Sequence, residues 1–202
     1  LARWPKSVRC AVNVSPLQFA DPALPGVIAD AIAKAGICPS RLELEITESV
    51  FLDDSEGTDA TFAALKAVGV RLALDDFGTG YSSLAQLRSL PFDNLKIDRA
   101  FIAELKNEEN GAKLVDAILA MSDGLKLPVT AEGIENEIIL ETLKRMGKMK
   151  GQGYPYGRPE PAADVLRRLE EQDLLAKDLP ANVTEIDFGK RQPGREGGTR
   201  AV

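Results

Sequence analysis

Apolar positions along the chain switch period repeatedly. Short runs in which apolar and polar residues alternate, or β-branched residues crowd together, lie between longer stretches whose apolar residues fall three and four apart. The short runs predict strands over Val8–Ser15, Arg41–Thr47, Arg71–Asp76, Asn94–Asp98, Pro128–Gly133 and, with a weaker pattern, Lys150–Tyr154. Between them, Leu24, Val27, Ile28, Ala31 and Ile32 form one helical face that stops at Gly36, and Phe62, Leu65 and Val68 form another that stops at Gly69. Leu114, Ile118, Met121 and Leu125 repeat the period, as do Ile139, Leu143 and Met146 before Gly147. A last amphipathic stretch covers Ala162–Glu171. Strand and helix signals in alternation are the mark of βα units around a parallel sheet, an α/β fold. Three architectures suit them: an open doubly wound sheet, a closed barrel, or part of a barrel.

From Asp178 onward the period disappears into Pro, Gly and charge. The expected division is a folded domain over residues 1–176 and a disordered tail over 177–202. The chain opens on Leu1 rather than Met, which is read as a cut through a longer protein.

Composition removes several function classes. A formal charge of −6, with basic residues scattered among 31 acids, provides no polybasic strip for a nucleic-acid polymer. Two cysteines, Cys10 and Cys38, are too few for a disulfide framework, and no apolar run is long enough to span a bilayer. A reducing, cytoplasmic location is expected. The chain has no histidine, which argues against a zinc hydrolase and against His-based acid–base catalysis.

The chemistry collects at strand ends. In parallel α/β proteins the βα loops at the carboxyl ends of strands surround one cavity. The strands here end on Asn13 and Ser15, Glu45 and Glu48, Asp75 and Asp76, Lys96 and Asp98, Glu132 and Glu135, and Gln152. Any one of these, taken alone, reads as a solvated charge; six strand ends in series do not. Alternation places Asn13 opposite Val12 and Val14, and Lys96 opposite Leu95 and Ile97, so the polar atoms can share one face. Carboxylate and carboxamide oxygens without His or Cys suit hard cations such as Mg²⁺ or Mn²⁺. Adjacent Asp75 and Asp76 could face two ions, and ions roughly 3.5–4 Å apart clamp in-line attack at phosphorus. Lys96 among these anions could hold the attacking water or neutralise phosphoryl charge; its alternative role is charge balance.

These residues stand in a longer pattern: Glu45-Ile-Thr-Glu48-Ser49, Asp75-Asp76-Phe77-Gly78-Thr79-Gly80-Tyr81-Ser82-Ser83-Leu84, Lys96-Ile97-Asp98-Arg99, Ala131-Glu132-Gly133-Ile134-Glu135, and Gln152-Gly153-Tyr154 with Gly157-Arg158-Pro159. Together they resemble the EAL domain of cyclic di-GMP phosphodiesterases, in order and register from Val8 to Pro161. The resemblance implies a TIM-like (β/α) barrel whose mouth binds cyclic di-GMP, and hydrolysis to linear pGpG in bacterial second-messenger signalling. It implies two Mg²⁺ or Mn²⁺ ions held or supported by Asn13, Glu45, Asp75, Asp76, Glu132 and Gln152. Catalytic roles fall to Lys96, assisting the attacking water, and to Glu132 as a candidate base. Ser15, Asp98 and Glu135 belong near substrate or behind the metal ligands. Phe77, Gly78, Thr79, Gly80, Tyr81, Ser82 and Ser83 correspond to the family's regulatory loop, anchored by Glu48 and coupled to a homodimer interface. Many relatives also carry an upstream sensory or GGDEF domain.

Two departures matter. The family's Glu-Ala-Leu-x-Arg motif is absent, and about six of the eight strands of such a barrel are visible, so the barrel is expected to be incomplete at its N-terminus. Lys148-Met149 stands where members often carry Cys-Asp. The rival readings are a degenerate module that senses cyclic di-GMP or binds a protein without cleaving, and a purely structural fragment. Weaker signals add nothing: Asp76-Phe77-Gly78 is repeated as Asp187-Phe188-Gly189 without other kinase motifs, and Asn182-Val-Thr184 is a short sequon in the tail.

Overall fold

The computed structural model describes residues 1–52, 56–78, 80, 84–106 and 110–175. Thr79, Tyr81, Ser82, Ser83 and the segment 177–202, with its second Asp-Phe-Gly and its sequon, lie outside the described residues.

Six strands form one parallel sheet: β1 (Cys10–Val14), β2 (Leu42–Thr47), β3 (Arg71–Phe77), β4 (Asn94–Ile97), β5 (Val129–Ile134) and β6 (Lys150–Gly153). Each expected strand is present, with ends moved by no more than two residues. Their spatial order follows the chain, β1-β2-β3-β4-β5-β6. A doubly wound sheet reverses its order at a switch point; a sequential order is that of a barrel wall. The architecture is therefore an incomplete TIM-like half-barrel, with β1 and β6 as its edges.

The helices are α1 (Pro16–Phe19), α2 (Leu24–Ala35), α3 (Glu56–Val68), α4 (Leu84–Ser89), α5 (Arg99–Glu104), α6 (Asn110–Leu125), α7 (Glu137–Met146) and α8 (Ala162–Glu171). The four long periodic faces become α2, α3, α6 and α7, and the last amphipathic stretch becomes α8. α2 ends where Gly36 turns left-handed, at φ 60°, and donates its N–H back to Ile32 and Ala33 carbonyls. α1, α4 and α5 have four to six residues, too short to show a helical period.

Strand alternation separates two faces. Leu44, Ile46, Leu72, Leu74, Leu95 and Ile97 are almost wholly buried in the layer between sheet and helices, where they meet Ile28, Ile32, Phe62, Leu65, Ile102, Val115 and Ile139. The residues between them point to the concave side. A polar floor lies there: Arg71 pairs with Glu43 at 3.1 Å, and Asn94 donates to Thr130 at 3.1 Å. The N-terminal segment is held by one side chain, because the Arg41 guanidinium donates to the carbonyls of Trp4, Pro5 and Val8. No helix among the described residues is long and apolar enough to cross a membrane.

Candidate metal centre at the mouth of the half-barrel

Two bulges build the site. Successive strand residues normally face opposite sides of a sheet, so Asp75 and Asp76 should diverge. Between Leu74 and Phe77 the β3–β4 register shifts, and Asp76 adopts the left-handed conformation at φ 53°. That turn re-aims the second carboxylate, as bulges do beside active sites. A matching shift in β5, between Ala131 and Ile134, places Glu132 beside Gly133, which is also left-handed at φ 66°. Carboxylate oxygens of Asp75, Asp76 and Glu132 consequently gather within 4.8 Å of one another.

Lys96 is the counter-charge. Its ammonium is 2.6 Å from Glu45, 2.7 Å from Glu132 and 2.9 Å from Asp75, and only 4% of its side chain is exposed. Burial works to lower its pKa, but the carboxylates, Glu132 foremost, overcome that and hold it well above the ordinary lysine value. Lys96 is a fixed cation. Asp75 Oδ1 and Glu132 Oε1 are both buried, and each faces the same ammonium.

Crowding shifts the carboxylates. Burial pushes Glu132 upward, Lys96 opposes the shift, and the Asp75 and Glu45 charges add to it. Asp76 is raised by burial, then by Asp75, and by Asp98, with which it shares a hydrogen bond. More buried carboxylates than one ammonium can neutralise, like charges within a few ångströms, and an all-oxygen set fit a hard divalent cation.

The other expected residues divide. Asn13 is directly opposite Glu45 in the β1–β2 ladder, but its strand is an edge and it is exposed. Val14 is buried as alternation predicts, whereas Val12, on the same face of this edge strand, is 44% exposed. Gln152 is exposed on β6 and lines the concave cleft of about 910 Å³, together with Glu45 and Lys96. Ser15 caps α1 in a capping box with Gln18. Asp98 caps α5, accepting from Ala100 N–H at 2.7 Å, while reaching Asp76. Glu135 is exposed and pairs with Lys106 at 3.3 Å. Glu48 is buried and accepts the Gly78 N–H, directly after β3, at 3.1 Å. Gly80 sits against the same carboxylate, where a Cβ would collide with Glu48 Oε2.

Sequence reasoning missed Glu43, Asn94, Arg9, Lys150, Arg158, Glu160 and Arg168, which also line the cleft. Glu43 and Asn94 were within reach of the same period-2 rule, each standing two residues before a site residue on its strand. Arg158, stacked 4.9 Å over the Tyr154 ring, lies after the last strand, where no period operates.

A parallel half-barrel with a carboxylate cluster and a buried lysine at its mouth defines an α/β barrel domain with an acidic site at the carboxyl ends of its strands. The chain belongs to the EAL domain family, whose model matches residues 1–159. It is 44% identical over 156 residues to the bifunctional diguanylate cyclase/cyclic di-GMP phosphodiesterase MucR of Pseudomonas aeruginosa, covering 77% of this chain and 23% of that one. A solved structure of the MucR phosphodiesterase in complex with c-di-GMP matches with TM-score 0.73 and 43% identity, over 78% of this chain and 64% of that one. The EAL domain of Mycobacterium smegmatis DcpA matches with TM-score 0.76 and 38% identity, over 82% and 74%. The chain spans about a fifth of the length of the curated relatives it matches.

Proposed function

We propose that this domain hydrolyses cyclic di-GMP to linear pGpG with Mg²⁺ or Mn²⁺. The observation that carries the reading is the cluster of Asp75, Asp76 and Glu132, whose oxygens gather within 4.8 Å of one another beside the buried Lys96. Asp75, Asp76, Glu132 and Glu45 would hold cation, with Asn13 and Gln152 adding carboxamide oxygens from the two edge strands. Bound there, divalent cations supply Lewis acidity that activates water and neutralises charge at the phosphoryl group.

The chain's own residues set the rest. Lys96 has only protons to donate and stays charged, so it holds an attacking water's oxygen or a phosphoryl oxygen rather than taking a proton. Glu132, whose pKa burial raises, is matched to receive the proton that water releases. Asp98 orients Asp76 from the start of α5. The working unit is residues 1–176, in the cytoplasm, acting as a homodimer and joined in its natural context to a sensory or GGDEF domain.

The test is chromatography of cyclic di-GMP incubated with Mn²⁺ or Mg²⁺, run on this chain and on the natural gene product. pGpG is expected, and Asp75→Ala should lower the rate by about 100-fold or more. Binding without cleavage in both preparations would make the domain a cyclic di-GMP sensor and refute the hydrolase reading.

A further inference from the structure

The two bulges that carry the carboxylates meet the same short helix. Phe101 of α5 packs its ring edge onto Gly78, directly after the β3 bulge, where a Cβ would come within 2.6 Å of Cε2. Arg99, at the first position of α5, presses its Cβ onto Gly133 in the β5 bulge, so that no Cβ would fit there. Asp98, the cap of α5, reaches Asp76. Three consecutive contacts along one turn thus touch the backbone beside Asp76, Asp76 itself and the backbone beside Glu132. α5 is seated from behind by Ile102, which is fully buried. Both touched glycines are left-handed, at φ 98° and 66°, so each bulge has a backbone that a small displacement would let relax.

We infer that the first turn of α5 is a clamp that positions the carboxylates of both bulges for cation, with Phe101 and Arg99 as its positioning residues. The inference rests on the proposed metal-dependent reading but concerns residues that touch neither metal nor substrate. Releasing the ring lets the Asp75-Asp76 turn drift away from Glu132, because Glu48 then holds Gly78 from one side only.

Mn²⁺ binding measured by calorimetry on the whole chain tests it, with thermal unfolding and amide hydrogen exchange on the same samples. Phe101→Ala is expected to bind Mn²⁺ about 10- to 100-fold more weakly, as loss of a group supporting metal ligands does. Phe101→Leu should recover most of the affinity, and Arg99→Gly should weaken it too. Ile32→Ala, which opens the core under α2 rather than α5, should lower the unfolding midpoint while leaving Mn²⁺ affinity unchanged. Equal Mn²⁺ affinity in Phe101→Ala and the wild type overturns the clamp, and so does an equal loss in Ile32→Ala, which would reduce the effect to general loosening. A wild type that binds no Mn²⁺ sinks the phosphodiesterase reading instead. Exchange then decides the clamp: faster exchange in 74–78 for Phe101→Ala and in 131–134 for Arg99→Gly upholds it, and unchanged exchange overturns it.

Discussion

Lys96 touches a carboxylate from each of β2, β3 and β5, so it neutralises charge that cation would otherwise have to neutralise. Lys96→Met leaves buried anions facing one another. Breaking a buried charge pair costs about 3–5 kcal/mol, and each kcal/mol moves the midpoint of a domain this size by roughly 2–4 °C. Differential scanning fluorimetry should show a drop of about 6–20 °C without metal, and a Mn²⁺-induced rise larger than in the wild type. An unchanged midpoint would deny Lys96 its role as counter-charge. Asp76 and Glu132 give a pH test. Their folded-state pKa values lie above the ordinary 3.8 and 4.5, so the stability they contribute is whole below the usual carboxylate range. It is lost as pH rises through the raised values. Asp76→Asn should therefore gain on the wild type in metal-free midpoint as pH climbs from about 4 towards 7. A gap independent of pH would contradict this. The site residues themselves were readable from strand ends and from a family pattern. Their meeting was not, because alternation sends Asp75 and Asp76 apart and no residue type announces a bulge.

At the scale of elements, the strands were legible because four to seven residues suffice to show alternation, and the long helices because each carries several turns of apolar period. α5 showed no such signal, yet it contacts both bulges. The Asp98 cap was the available sign, since an Asp directly before a short apolar run marks a helix start. Arg41 offers a test of how the edge strand is held. Its side chain satisfies three carbonyls of the segment leading into β1, and Arg41→Ala leaves these partly buried acceptors without their donor, at about 1–3 kcal/mol. Hydrogen exchange should accelerate over residues 1–14 and stay the same over β4 and β5. Uniform acceleration would show that β1 unfolds only with the whole sheet.

For the molecule as a whole, the expectation of an incomplete barrel holds: among the described residues six strands run in chain order, and β1 and β6 each have one neighbour. Unpaired strand edges template association. Sedimentation velocity should show this chain self-associating with rising concentration, and Val12→Lys, at an exposed position of β1, should reduce it. A strictly monomeric wild type at high concentration would show that side chains and the segment before β1 already protect the edge. The lysine at 150 and the weak β6 pattern made that edge the hardest to place from sequence, since glycines alternate there with polar residues and none of the four is buried.

The left-handed turn at Asp76 has a consequence for anyone improving this protein in the laboratory. Asparagine tolerates that backbone conformation as well as aspartate does and brings no like charge to Asp75 and Glu132; glycine adopts it without strain. Libraries ranked by heat resistance alone would accordingly enrich replacements at position 76 first, and their best survivors would be the ones least able to capture a cation. A useful screen must score ligand capture in the same round as melting.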